Sequence, residues 1–499
     1  MRQKITNYIR AGYSGLYLVS AEEQRVEAEL KAIADQLEFN LYVWSTTSGL
    51  IGVSKPSSRE CNDPLEALIT FNELPEKTIC VLRDFHLFLA DPNPILIRQL
   101  KDVLQDAKTK NKTIIVLGCR LCLPPELERE FTVLEFALPN KEQLSRVIDG
   151  IIESAELKPL EDDVRDSVLD AASGLTTMEA ENAFALSVVE KRHLSPALIA
   201  KEKAQAVKKN GLLEIVEAKE SLESIGGLDL LKDWLVQRKG AFSKKAAEYG
   251  LPTPKGVLIL GIPGTGKSLT AKAVASVFDV PLLKLDAGRI FAGLVGQSEA
   301  NLRSVIQTAE AIAPAVLWID ELEKGFAGSK SSGATDGGTS ARVFGSFISW
   351  MQEKKSPVFV VATANDVSQL PPEMLRKGRF DEMFFVDLPS QSEREAIWGI
   401  QIAKYRRDPK EFDCVQLARA TDGFTGSEIE SAFIDSLYLA FGNEKEPTDL
   451  VIARVLNDYV PLSKLKAEQI GSLRNWSQGR ARPGTSPEQN ERKLRKLAA

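Results

Sequence analysis

The run Gly261-Ile262-Pro263-Gly264-Thr265-Gly266-Lys267-Ser268 has the spacing G-x-x-x-x-G-K-[ST], follows an apolar segment and opens a helical one. Glycines at 261, 264 and 266 let the backbone curl so that successive N–H groups face phosphate oxygens. The helix starting near Lys267 adds the positive end of its dipole. Lys267 can reach the β- and γ-phosphates and the Ser268 hydroxyl can ligate Mg²⁺, so the expected ligands are ATP and Mg²⁺. Downstream, Val316-Leu317-Trp318-Ile319-Asp320-Glu321 reads as a buried strand delivering two carboxylates at its end. Asp320 is expected to hold the metal and Glu321 to polarise a water for attack on the γ-phosphate. An Asp-Glu pair after a strand is common by itself; the phosphate loop upstream gives it meaning. Asn365, ending Ala362-Thr363-Ala364-Asn365, is placed to orient that water, with a turn-forming Asn as the alternative. Arg376 and Arg379 follow a Pro-Pro turn. They read either as a solvated loop or as forks that stabilise phosphate charge on a neighbouring subunit.

These residues need a scaffold that brings strand ends together. The buried-strand candidates are 256–260, 281–285, 315–319, 358–362 and 382–386, with helical spacing at 268–277 and 298–311 between them. Alternation of this kind gives an α/β class: a phosphate-loop NTPase domain with a parallel sheet covered by helices on both faces. From about Ser392 to Leu465 the strand signal gives way to amphipathic helices, a helical subdomain. The first 200 or so residues repeat the plan in the same order. Gly15–Ser20 matches Gly256–Gly261, Thr78–Asp84 matches the run ending at Asp320, and Ser173–Phe184 matches Asp422–Phe433. The expected domains are a degenerate copy at 1–210 (α/β to residue 139, helical over 140–210), an ATPase α/β domain at 211–388 and a helical lid at 389–470. A flexible basic tail is expected at 471–499, where Arg and Lys accompany Pro, Gly and Ser without apolar periodicity.

The 499 residues fit about three domains, and 43% hydrophobic with 26% charged residues excludes a disordered or fibrous chain. The formal charge of −6 argues against coating nucleic acid. Five cysteines and two histidines exclude a disulfide scaffold or zinc framework. Cys119 and Cys122 could form a redox pair, but they read as two small buried hydrophobes, and His86 as a satisfied core histidine. No apolar run approaches the ~18–20 residues of a membrane span, and the N-terminus shows no signal core, so a soluble cytoplasmic protein is expected.

Together these marks resemble the ATPase module of classical AAA proteins. Further marks are Ile225-Gly226-Gly227-Leu228, Pro254-Lys255-Gly256-Val257 and Gly423-Phe424-Thr425-Gly426. The whole chain, with its degenerate first copy, resembles an AAA family encoded in algal plastids and cyanobacteria. The resemblance implies a homo-oligomeric ring, usually hexameric, with nucleotide between subunits. It also implies the cyanobacterial cytosol or plastid stroma, and a link to photosynthesis or carbon assimilation. It carries Gly226 and Gly227 to the adenine, Arg376 and Arg379 to action in trans, and Gly426-Ser427 to closure of the lid.

Two departures bear on function. Gly293-Leu294-Val295-Gly296 has Leu294 where threading relatives carry a pore aromatic, which favours remodelling of a folded partner over forceful unfolding. In the first copy Ser20-Ala21-Glu22-Glu23-Gln24-Arg25 lacks the glycines and lysine, and Asp84-Phe85 replaces the Asp-Glu pair; no hydrolysis is expected there. The Gly/Ser-rich stretch 328–340 reads as a mobile loop able to line a pore. The expected function is a Mg-dependent ATPase that remodels an unidentified protein client. The alternatives are a nucleotide-gated assembly scaffold and, least favoured by the acidic balance, a nucleic-acid-stimulated ATPase.

Overall fold

A computed structural model describes residues 1–54, 57–91, 93–209, 211–218, 220–291, 297–326, 337–376 and 378–486. Leu294 and its neighbours at 293–296, and 328–336 of the Gly/Ser-rich stretch, lie outside the described residues. The chain divides into two compact units, Met1–Lys203 and Ala204–Ala499. The division falls inside the helix Pro196–Lys209. The reason is packing: Val207 belongs to the apolar cluster that also holds Leu213 and Leu258 of the second unit.

In the first unit the strands are β1 (Gly15–Val19), β2 (Asn40–Ser45), β3 (Gly49–Gly52), β4 (Ser57–Arg59), β5 (Thr78–Arg83), β6 (Lys112–Gly118) and β7 (Thr132–Glu135). They form one sheet in the order β4-β3-β2-β5-β6-β1-β7. Its five-strand core β2-β5-β6-β1-β7 is parallel, and an antiparallel meander through β3 and β4 extends one edge. Three helices, Lys141–Ser154, Asp162–Ala172 and Thr177–Lys191, follow the sheet.

The second unit contributes β8 (Leu213–Val216), β9 (Gly256–Gly261), β10 (Leu282–Leu285), β11 (Ala315–Ile319), β12 (Val358–Ala364), β13 (Glu382–Val386) and β14 (Arg482–Pro483). Their order is β14-β13-β9-β12-β11-β10-β8, with β8 antiparallel at one edge. The parallel core β10-β11-β12-β9-β13 repeats strand for strand the core of the first sheet. β9, β11 and β12 are buried at every position, since successive side chains point to opposite sides and both sides are covered. Leu258, Leu260, Leu317 and Ile319 fill one apolar cluster, while Val257, Ile259, Val316 and Trp318 fill the other. Full burial of each such side chain contributes roughly 1.5–3 kcal/mol.

Beyond β13 the chain forms the lid helices Gln391–Lys404, Cys414–Ala420, Gly426–Gly442 and Asp449–Leu456 around Trp398, Ile429, Phe433 and Ile452. It then returns to the sheet, which corrects the expectation of a flexible tail from 471. Ala467–Ser477 is a helix whose Leu473 packs into the cluster beneath the sheet, and Arg482–Pro483 pairs in parallel with Phe384–Phe385. Leu473 and Trp476 lie three apart on this helix, too brief an apolar stripe to stand out among the surrounding polar residues. Residues 487–499 lie outside the described residues.

Strand register corrects one more expectation. Gly15 faces Ile114 and Gly256 faces Val360, so Leu117 stands where Thr363 does, and Cys119 where Asn365 does. Arg83 faces Leu117, whereas Ile319 faces Ala362. Arg83 therefore occupies the position of Asp320, and Asp84, not Phe85, the position of Glu321. Asp84 and Glu321 also share the left-handed backbone (φ 52 and 49). Matching the two aspartates by identity shifts the alignment by one residue; the hydrogen-bonded ladder fixes it.

Candidate active site

The phosphate-loop turn depends on Gly264 (φ 81) and Gly266 (φ 91), in a region that side chains with a Cβ rarely enter. The helix Lys267–Phe278 starts immediately after. Lys267 Nζ donates to the carbonyls of Gly261 (2.9 Å) and Ile262 (2.6 Å), and Thr265 Oγ1 donates to the same Ile262 carbonyl. Burial pushes the Lys267 ammonium down to about 8, against the opposing pull of Glu323, Asp320 and Glu321.

The ends of β9, β11 and β12 converge here. Ser268 Oγ donates to Asp320 Oδ1 (3.0 Å), and so does Thr363 Oγ1 (2.6 Å). The same Thr363 hydroxyl accepts the Glu321 N–H at 3.0 Å, tying both carboxylate residues to β12. Asn365 Nδ2 donates to Glu321 Oε1 (3.3 Å) and its backbone N–H to Glu323 Oε1 (3.1 Å). Lys324 forms an ion pair with Glu321. Glu323 is buried, its Oε2 lacks a partner, and burial raises its pKa. A hydroxyl bonded to a carboxylate beside an ammonium is a hard-oxygen donor set that fits Mg²⁺ bound with phosphate.

Lys267, Ser268, Asp320, Glu321, Thr363 and Asn365 all line a cavity of about 1780 Å³. Its other walls include Ile225, Gly226, Leu228, the phosphate loop from Pro263 and the lid residues Gly423, Gly426 and Ser427. Ser427 N donates to the Gly264 carbonyl (3.1 Å), so the lid touches the phosphate loop directly. Gly227 (φ 73) leaves room for Glu393: a Cβ there would lie 1.8 Å from Glu393 Oε1. Arg376 and Arg379 do not line the cavity. Arg376 is exposed, and Arg379 is half-buried with its Nε unpartnered.

Residues 257–388 match the family model for the ATPase family associated with various cellular activities (AAA). Residues 1–136 and 142–210 match the N-terminal and second domains of the SpoVK-like AAA ATPases. The uncharacterized AAA domain-containing protein ycf46 of Trieres chinensis is 40% identical over 486 residues, spanning 96% of this chain and 97% of that protein. Its counterpart in Guillardia theta is 39% identical over 478 residues, 94% of this chain and 93% of that protein. The Pyropia yezoensis protein is 38% identical over 488 residues, 96% and 98% respectively. The chain belongs to the ycf46 family of AAA proteins. Nucleotide binding and ATP-driven activity come with that membership.

In this AAA protein several residues in or beside the cavity escaped the sequence reading. Thr363 left a signal, as a hydroxyl in an otherwise apolar strand; Glu323 left little, lying two residues beyond a more conspicuous pair. The wall built by the C-terminal segment had none, since partners so far apart in sequence meet only through the fold. Gly484 N donates to the Phe385 carbonyl (2.8 Å), and the Gly484 carbonyl accepts from Leu231 N (3.1 Å). Thr485 Oγ1 donates to Glu393 Oε1 (2.7 Å), which also accepts from Leu228 N (3.2 Å). Ser486 donates from N (2.7 Å) and Oγ (2.5 Å) to the Asp229 carboxylate, holding that acid below its ordinary pKa despite burial, the largest influence on it. Arg474 adds an ion pair to Asp387 (2.8 Å) where the lid departs.

In the first unit the corresponding place is filled by its own side chains. Glu22 Oε1 accepts the Thr177 N–H (2.6 Å), and Glu22 Oε2 accepts from Arg25 Nε (2.9 Å). Arg25 also donates to the Ala137 carbonyl and stacks over Phe136. A carboxylate thus sits at the N-terminus of the helix Thr177–Lys191, where an anion is stabilised by free N–H groups.

Proposed function

We propose that the chain is a Mg-dependent ATPase that assembles into a ring, hexameric in the expected form, and uses hydrolysis to remodel a protein partner. The observation that carries this reading is the shared hydrogen-bond set of Ser268, Thr363, Asp320, Glu321 and Asn365 inside one cavity. The N–H groups of Gly264, Thr265 and Gly266 cradle the phosphates in a loop that Gly261, Ile262 and Pro263 lead into, and Lys267 turns from its own carbonyls to the β- and γ-oxygens. Ser268 and Asp320 would hold Mg²⁺, which when bound would supply charge neutralisation at the phosphates. Glu321 takes the proton of the attacking water, and Asn365, already bonded to Glu321, orients that water. Gly226 and Gly227 flank the adenine, and Gly426 with Ser427 brings the lid down on the phosphate loop.

Arg376 and Arg379 stand outside the cavity of their own chain, which supports their acting on a neighbour's phosphate. The domains are the degenerate copy at 1–210, the ATPase core at 211–388 and the lid from 389. Among the described residues no helix is long and apolar enough to cross a membrane. The proposed setting is a cyanobacterial cytosol or plastid stroma, in support of photosynthesis or carbon assimilation.

The test is steady-state ATPase activity of wild type and Glu321→Gln across protein concentration, with mass by light scattering in ATP. Specific activity that rises with concentration, with the variant trapped as a large inactive assembly, supports shared sites. A monomer without turnover under all conditions overturns the ring ATPase. Assembly with turnover that no protein addition stimulates favours the scaffold.

A further inference from the structure

In the second unit the ends of β11 and β12 carry Glu321, Glu323 and Asn365. The same register in the first unit brings Asp84, His86 and Cys119 to the equivalent positions. Two expectations fail together there. Cys119 is not a buried hydrophobe but exposed, with Cys122 half-buried, and His86 is not a satisfied core histidine. His86 is 2% exposed and its Nδ1 lacks a hydrogen-bond partner, while its Nε2 lies 3.7 Å from Cys119 Sγ, within hydrogen-bonding reach of sulfur. Asp84 Oδ1 stands 3.8 Å from that Nδ1.

The imidazole has been given its place. Gly118, the last residue of β6, packs against it so closely that a Cβ at 118 would fall 2.5 Å from Nδ1. The loop carrying the thiol is also pinned. Tyr17 Oη donates to the Arg120 carbonyl (2.7 Å) and accepts from Cys122 N (3.0 Å). Burial drives the Tyr17 hydroxyl far above its ordinary pKa, so it stays a donor.

We propose that Cys119 and His86 form a thiol-exchange site in the degenerate unit, taking low-molecular-weight, anionic disulfides as its substrate class. The inference does not depend on the nucleotide reading. Burial lowers the His86 pKa, so the ring is neutral at physiological pH and free to accept a proton from the thiol. Asp84 faces the imidazole and favours the cation that then forms, whereas Arg120 opposes it and offers its charge to an incoming carboxylate. In the step, the Cys119 sulfur attacks one sulfur of RSSR as its proton passes to His86 Nε2. The protein S–SR bond forms, the bond between the two sulfurs of RSSR breaks, and RS⁻ leaves with that proton as RSH. No other oxidant is required.

The other thiols make poor competitors: Cys61 and Cys80 are buried, Cys414 is half-buried, and burial raises the pKa of all three. The experiment uses reduced full-length protein and 5,5′-dithiobis(2-nitrobenzoate), an anionic disulfide that releases a coloured thiolate on exchange. Peptide mass spectrometry after trapping with oxidised glutathione locates the adduct. The expected result is one fast thiol per chain, absent in Cys119→Ser and retained in Cys122→Ser. His86→Gln, checked for folding by circular dichroism, should slow it roughly tenfold or more. Should that variant not fold, the exposed Asp84→Asn serves, lowering the pH at which the fast rate reaches half its plateau; Arg120→Gln should raise it. A fast phase that survives in Cys119→Ser overturns the proposal. So does a Cys119 rate equal to that of free glutathione thiol, or one indifferent to both His86→Gln and Asp84→Asn.

Discussion

At the scale of residues, Lys267 makes the sharpest prediction. Its ammonium sits at about 8 while bonded to its own loop's carbonyls, and phosphate oxygens would raise that value. Binding therefore favours the protonated lysine. ATP affinity should be flat below pH 8 and fall by up to about tenfold per pH unit above it, until the bound-state pKa is reached. Titration of a fluorescent ATP analogue from pH 6.5 to 9.5 checks this, with uptake of a fraction of a proton near pH 8. A second prediction concerns Thr363, whose hydroxyl serves Asp320 and the Glu321 backbone at once. Thr363→Val keeps the shape but frees both partners. We expect kcat to drop about tenfold with KM little changed, because one to two lost hydrogen bonds cost about 1–2 kcal/mol in positioning. Steady-state kinetics at saturating Mg²⁺ reads it. Legibility varies across this small set. Lys267, Ser268 and the Asp320-Glu321 pair are evident from spacing, because phosphate chemistry permits few alternatives. Asp84 falls one position out of place when identity is weighed without the register.

Among elements, the strand signals at 256–260, 315–319 and 358–362 are plain, since segments buried on both faces must be continuously apolar. β8 and β14 are not legible: one is half-exposed at an edge, and the other is only Arg482–Pro483. Yet β14 leads directly to Thr485 and Ser486, the bracket between the lid helix Gln391–Lys404 and Asp229. Thr485→Ala should raise the KM for ATP and the release rate of ADP by about 2–10-fold while sparing kcat, the range of one hydrogen bond. Stopped-flow displacement of a fluorescent ADP checks it. Unaltered release would show that the bracket bears no load during exchange. Arg474→Ala should act in the same direction, more weakly, since its pair with Asp387 is nearly half-exposed.

For the whole molecule, the two sheets share a core strand order but differ in what fills the loop after the first core strand. Glycines and Lys267 occupy one, and the Glu22–Arg25 pair the other. Full-length Lys267→Ala should then bind no nucleotide at all, and wild type one per chain, by isothermal titration calorimetry. A second equivalent in wild type, or residual binding in the variant, would mean that the first unit also accepts nucleotide.

The return of the chain through Ala467–Ser477 to β14 sets a mechanical condition on the lid. A body tethered once can swing in any direction; one tethered twice turns only about the line through its two attachments. The lid leaves the sheet beside Asp387 and rejoins it at Phe384 and Phe385, so both of its hinges lie on one margin of the same sheet. A rigid turn of the helical subdomain about that margin would carry Ser427 to and from Gly264, to whose carbonyl its N–H donates.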